Sequence, residues 1–118
     1  KGHTIAGSRV LIMGFTFNEN CPLLRNTRVI DVVRELQDYG CQVDVTDCWA
    51  DNAEAEHEYG ISLVPEPAKG NYDAVLLAVP HREYAALNAD ELRGYTNGNG
   101  VLFDLKGILP LGHADLRL

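Results

Sequence analysis

Two apolar runs, Val10-Leu11-Ile12-Met13 and Ala74-Val75-Leu76-Leu77-Ala78-Val79, constrain this chain more than any other feature. Neither alternates with polar residues. Each therefore predicts a strand buried on both faces, and such strands belong to sheets covered by helices on either side. Between them, the segment from Asn26 to Gly40 predicts a helix, because Val29, Val32, Val33 and Leu36 recur at i, i+3, i+4 and i+7 as one apolar stripe. Asn26 or Thr27 can cap its start, and Gly40 is the expected C′ residue. Cys41 to Asp47 predicts the next strand. Asp51 and Glu54 then have capping-box spacing for a short helix ending near Tyr59-Gly60. Ile61 to Val64 reads as a brief strand before the Pro65-Glu66-Pro67 turn. After the second apolar run, Arg82 to Leu87 predicts a helical stretch, and Asn88 with Glu91 a second capping box ending near Arg93. Tyr95 to Gly100 reads as a glycine- and asparagine-rich loop, and Val101 to Asp104 as the last strand.

This alternation implies right-handed crossovers and a mostly parallel sheet. The expected fold is α/β: a three-layer, Rossmann-like sandwich with a doubly wound sheet and the first strand central. The chain's 118 residues allow one domain with its own core. Its expected bounds are residues 9–108, with 1–8 an N-terminal linker or tail and 109–118 a C-terminal tail or edge structure. The first residues have no signal-peptide organisation and no initiator Met, so the chain is expected to be an excised piece. Seventeen acids against ten bases give a formal charge of -7, which argues against nonspecific nucleic-acid binding. No run approaches the length of a membrane span. Cys21, Cys41 and Cys48 are odd in number and form no CxxC pair, which argues against a disulfide framework and a zinc site. The expected compartment is reducing, hence cytoplasmic. No metal site is expected.

Open α/β sheets bind ligands beyond the carboxyl ends of their strands, where strand order reverses. That rule selects Gly14-Phe15-Thr16-Phe17-Asn18, Val79-Pro80-His81-Arg82 and Asp104-Leu105-Lys106-Gly107. A dinucleotide fingerprint is missing: Gly14 is followed by Phe15 and Phe17 where a pyrophosphate needs glycines. The region offers aromatic surface and cationic side chains instead, suited to a nucleobase or sugar edge and a phosphate. Arg25, just before the helix, can fork onto phosphate or carboxylate, or simply pair with Glu19 in solvent. Asn18 can serve a ligand or a turn, and Lys106 can shape an anion site or pair with Asp104. His81 is a candidate base, although an N-cap or turn role suits its position better. Asp47 stands where a dinucleotide domain holds a ribose, but without the glycines that role has no support. No nucleophile with its base and orienting partner is present, so no catalytic residue is expected in this chain.

The stretch from Val10 to Val29, with its Gly14-Phe15-Thr16-Phe17 turn and Arg25, resembles the opening of the C-terminal domain of the UDP-glucose/GDP-mannose dehydrogenase family. Val45-Thr46-Asp47-Cys48-Trp49-Ala50-Asp51, Glu58-Tyr59-Gly60-Ile61, Tyr72 to His81 and Phe103-Asp104-Leu105-Lys106-Gly107 extend the likeness over essentially the whole chain. The details are closer to the bacterial branch acting on UDP-N-acetylglucosamine or UDP-N-acetylgalactosamine. The resemblance implies the UDP-sugar-binding domain of an NAD-dependent 6-dehydrogenase, which oxidises the sugar C6 hydroxyl to carboxylate for polysaccharide precursors. It implies an N-terminal NAD-binding domain and a central dimerisation region elsewhere in the parent, a homodimer, and no activity for this piece alone. Phe17, Asn18 and Lys106 then resemble substrate contacts, and Arg25 the arginine that approaches NAD. Two positions depart from the family pattern: Asn18 stands for the usual lysine, and Leu23 for the aspartate two residues before Arg25. These departures leave a second reading, a non-catalytic nucleotide-sugar-binding or structural interaction domain of a degenerate homologue.

Overall fold

The computed structural model describes residues 7–16, 20–24, 27–79, 81–104 and 116–117. In chain order the elements are β1 (Arg9–Met13), α1 (Val29–Asp38), β2 (Gln42–Thr46), α2 (Asn52–Tyr59) and β3 (Tyr72–Leu77). They continue with α3 (Arg82–Ala85), α4 (Ala89–Arg93), β4 (Thr96–Asp104) and β5 (Leu116–Arg117). The described strands form one sheet in the order β2-β1-β3-β4-β5. All four strand pairs are parallel. Strand order reverses at β1, whose neighbours are β2 on one side and β3 on the other, so this is the doubly wound α/β sheet that the apolar runs predict.

The two faces of β1 show why its run is apolar throughout. Val10 and Ile12 pack with Val29, Ile30 and Val33 of α1, while Leu11 and Met13 pack with Val75, Leu77, Leu102, Tyr84 and Leu92 on the other side. Burying one such side chain contributes about 1.5 to 3 kcal/mol. That outweighs the weak helix propensity of the β-branched residues in α1, which costs at most about 0.7 kcal/mol each.

Helix α1 begins at Val29, two residues later than Asn26 as its cap would place it. Its N-cap is Arg28, with no side-chain cap bond, although the Thr27 hydroxyl accepts the Val29 N–H at 3.3 Å. Asp51 caps α2 as expected, accepting the Glu54 N–H at 3.0 Å. Asn88 and Glu91 close the full capping box of α4. Ile61 to Val64 is not a strand. Its one ladder-like bond runs from Val64 N–H to the Val45 carbonyl, and the Leu63 N–H is taken by the Asn52 side chain.

The largest departure is at β4. The residues expected as a loop are its first half, and Val101 to Asp104 is not the last strand, because β5 follows. Tyr72 pairs with Thr96 and Ala74 with Val101, so the residues between them on β4 form a bulge. Glycine is needed there for close approach: a Cβ on Gly100 would fall on the Thr96 side chain and 2.9 Å from the Asp73 carbonyl oxygen. Asn97 braces the bulge through a 2.7 Å bond to the Asp73 carboxylate.

Candidate functional site

The crevice at the carboxyl ends of β1, β2 and β3 is closed by one buried polar cluster. Gly14 makes it possible. At φ 99° its missing Cβ leaves room for Val79, three of whose atoms, two of them backbone, would lie 2.6 Å from a side chain there. This contact brings the end of β1 against the end of β3, and the Gly14 N–H reaches the Thr46 carbonyl on β2 at 2.8 Å.

Asp47 is the centre of the cluster. Its Oδ2 accepts the N–H groups of Phe15 (2.5 Å) and Thr16 (3.0 Å), and its Oδ1 accepts those of Trp49 (2.7 Å) and Ala50 (3.0 Å). His81 completes the set, with Nε2 2.9 Å from Asp47 Oδ2 and 3.1 Å from the Thr16 hydroxyl. On the far side of the ring, Nδ1 accepts the Asn20 N–H at 2.8 Å. Nδ1 therefore carries no proton, and the proton sits on Nε2, aimed at Asp47 and Thr16. Burial by itself would raise the Asp47 carboxyl. The His81 bond and the backbone donors outweigh it and hold the group below the ordinary carboxylate range.

A second layer lies over this pair. Trp49 stacks on the His81 ring with centroids 5.8 Å apart, and its indole N–H donates to Glu83 at 2.7 Å. The Arg82 guanidinium lies 4.9 Å from the Trp49 ring centre. The Tyr84 hydroxyl accepts the Cys48 N–H at 2.9 Å, and burial pushes the phenol well above its usual value. Burial, and then the charges of Glu83 and Asp47, likewise raise the Cys48 thiol, so this exposed cysteine is not an activated nucleophile.

Phe17, Asn18, Arg25 and Lys106, the four residues singled out for substrate and cofactor, lie outside the described residues. Their described neighbours are firmly held. Phe15 and Thr16 are fully buried on one side of positions 17–19, and Asn20 is bonded to His81 on the other. Leu24, beside Arg25, is buried, and its carbonyl accepts both the Tyr59 hydroxyl (2.6 Å) and the Thr27 N–H (3.2 Å).

Three readings of the sequence change here. Phe15 is not aromatic surface; it is buried and packs edge-on to Tyr59 at 5.5 Å. His81 is the N-cap residue of α3 by position, yet its side chain makes no cap bond and is buried with Asp47 instead. That burial also removes it as a general base for a ligand. Sequence reasoning missed the Asp47–His81 pair, although one signal was present. Both residues follow strands that flank β1 in a doubly wound order, which brings their ends together.

A cavity of about 330 Å³ adjoins the cluster, between Met13, Thr46, Cys48, Pro65, Tyr84 and Tyr95. Among the described residues that line it there is no lysine or arginine, and Asp47 is the one carboxylate. Among the described residues, no group of three side chains is arranged to hold a metal ion. No described helix is long and apolar enough to cross a membrane.

Fold and site together define an open parallel α/β domain with a buried polar cluster at the switch point between β1 and β3. A family model described as the UDP-binding domain of the UDP-glucose/GDP-mannose dehydrogenase family matches residues 11–110, and the chain belongs to that family. It is 48% identical over 118 residues to a UDP-N-acetyl-D-glucosamine 6-dehydrogenase of Salmonella typhi, covering 100% of this chain and 28% of that protein. A Pseudomonas aeruginosa protein of the same description is 50% identical over 114 residues, 97% of this chain and 27% of its own. The chain thus spans little more than a quarter of the curated relatives it matches. Among solved structures, a UDP-D-ManNAc dehydrogenase from Pyrococcus horikoshii superposes with a TM-score of 0.75 at 14% identity, over 97% of this chain and 26% of that one. A UDP-glucose dehydrogenase from Pyrobaculum islandicum gives 0.71 at 23%, over 95% and 25%. Both show the same fold.

Proposed function

We propose that this chain is the nucleotide-sugar-binding domain of an NAD-dependent UDP-N-acetylhexosamine 6-dehydrogenase, acting in the cytoplasm on a precursor of polysaccharide. The observation that carries this reading is the match of the UDP-binding family over residues 11–110, on a fold whose switch-point loop is held at both ends. The binding unit is residues 9–108. Phe17, Asn18 and Lys106 contact the UDP-sugar, and Arg25 reaches toward the cofactor.

NAD itself does not fit the described residues. The Asp47 carboxylate, where a dinucleotide domain would bind ribose, already accepts five hydrogen bonds, and the residue after Gly14 is a buried phenylalanine. NAD therefore belongs mainly to an N-terminal domain of a longer parent, which also supplies the nucleophile, a central region and a homodimer contact. The test is NADH formation from UDP-N-acetylglucosamine by the full-length protein that carries this chain, beside the 118-residue chain alone. Activity in the first and none in the second is expected. An inactive full-length protein that still binds UDP would favour the degenerate homologue. That second reading draws on Leu23, 59% exposed where the family pattern has aspartate.

A further inference from the structure

We infer that the α1 side of the sheet, where it runs over β3 and β4, is a docking groove for an amphipathic helix from another part of the parent polypeptide. The inference rests on the reading above that this chain is one domain of a longer dehydrogenase, and it adds a contact between domains.

The groove is an almost wholly apolar cavity of about 480 Å³. Val32 and Leu36 of α1, with its C-cap Tyr39, form one wall, and Ala74 of β3 with Val101 and Phe103 of β4 line the rest. Tyr39 is exposed and the other five are only half-buried, whereas Leu102, between Val101 and Phe103 and facing the opposite side, is fully buried. From Val101 to Phe103, β4 is therefore apolar on both faces, the pattern of a strand in a sheet covered on both sides. Among the described residues only the Leu102 side has its cover.

Topology explains the bare half. Helix α1 packs over β1 and β2 with α2 in the same cluster, while Tyr84 of α3 and Leu92 of α4 pack on the opposite face against Val75, Leu77 and Leu102. The step from β4 to β5 runs along the sheet in the same direction as the step from β3 to β4, so handedness assigns it to that opposite face as well. The crossovers thus leave the α1 side of β3 and β4 open. Two strands at about 4.8 Å spacing make about 10 Å, the width of one helix.

That helix has to come from outside the domain. A second copy has no spare apolar helix among its described residues: α1 is the wall of the groove, α2 buries only Ala55, and α3 and α4 are already packed. The chain spans little more than a quarter of the relatives it matches, so a longer parent has ample chain to supply one.

Val101→Cys in the full-length protein reads the cover directly. By peptide mapping, the new thiol should react with a maleimide about a hundredfold more slowly in the native protein than in urea. A photoreactive benzoylphenylalanine at position 101 should crosslink to a peptide of the same polypeptide outside these 118 residues. Labelling of the native protein within about threefold of the unfolded rate would overturn the inference. So would a crosslink to any of the 118 residues, in the same copy or a second one. If Val101→Cys does not fold, Tyr39→Cys on the facing wall, where the native side chain is 59% exposed, decides in the same way. The functional reading fails separately. Full-length protein that binds no UDP and forms no NADH but protects the thiol overturns that reading and keeps the groove, and active protein with a freely labelled thiol overturns the groove alone.

Discussion

The two ends of the β3 strand are held by opposite means. At its carboxyl end, side chains do the holding: Asp47 and His81 join the loops after β1, β2 and β3 through bonds to four backbone N–H groups around Asp47 and one at Asn20. At its amino end, the lack of a side chain matters more, because Gly100 lets the β4 bulge lie against Asp73 and Thr96. The carboxyl end carries the proposed site and spends a buried charge on keeping its loops in place. The amino end carries no proposed ligand contact; its bulge is fitted by shape and braced by the exposed Asn97–Asp73 bond. A buried carboxylate with every lone pair in use is an expensive way to close a turn, so its presence at one end marks where loop position matters.

The largest effect should come from Asp47→Ala, which strands four backbone donors and the His81 proton. Urea unfolding should show a loss of about 3 to 5 kcal/mol. A loss below about 1 kcal/mol would mean that water replaces the carboxylate and that the two ends do not differ in kind. Gly100→Val should cost about 2 to 3 kcal/mol through overpacking, with no change in UDP affinity. A matching fall in affinity would show that the bulge also shapes the site.

The two ends should also part company with pH. The folded Asp47 carboxyl lies below its unfolded value, so its stabilisation is present above the ordinary carboxylate range and is lost as pH falls through the folded value. Tyr72, at the amino end of β3, behaves oppositely. Burial, then its 2.7 Å bond to the Asp44 carboxylate and that group's charge, push the phenol up to about 12. Its stabilisation is complete below the ordinary phenol value of 10.0 and is lost as pH rises through about 12. Asp47→Asn should flatten the acid limb of a stability–pH profile and leave the alkaline limb in place, and Tyr72→Phe should do the reverse. A shared effect on one limb would contradict the division.

How much of this was legible in the sequence follows the same division. The apolar runs, the α1 stripe and the Asp51 and Asn88 caps are local signals, and each gave its element. The β4 bulge was not legible, because glycine and asparagine look the same in a loop and in a strand bent by its neighbour. Phe15 read as surface because a turn after a strand is usually exposed, and residues distant in sequence, among them Val79 in its core cluster and Tyr59, 44 positions later, bury it. The Asp47–His81 bond spans 34 residues and depends on strand register, which no local pattern contains. Phe17, Asn18, Arg25 and Lys106 owe their place in the proposal to family likeness, and the structure speaks only for their neighbours.

Tyr59 gives the smallest test and the most local one. Its ring packs edge-on to Phe15, and its hydroxyl donates to the Leu24 carbonyl, so it ties α2 to the chain just before Arg25. Tyr59→Phe keeps the ring and removes one hydrogen bond, a loss of about 1 kcal/mol. Because the Leu24 carbonyl keeps the Thr27 N–H, it is not left unpaired, which limits the cost. Amide exchange should then quicken at Thr27 and leave Thr16 and Asn20 unaffected, since those two are tied to Asp47 and His81 by bonds that do not involve Tyr59. Faster exchange at Asn20 as well would mean that the anchor before Arg25 and the anchor around positions 17–19 form one unit, and that the proposed substrate and cofactor contacts move together.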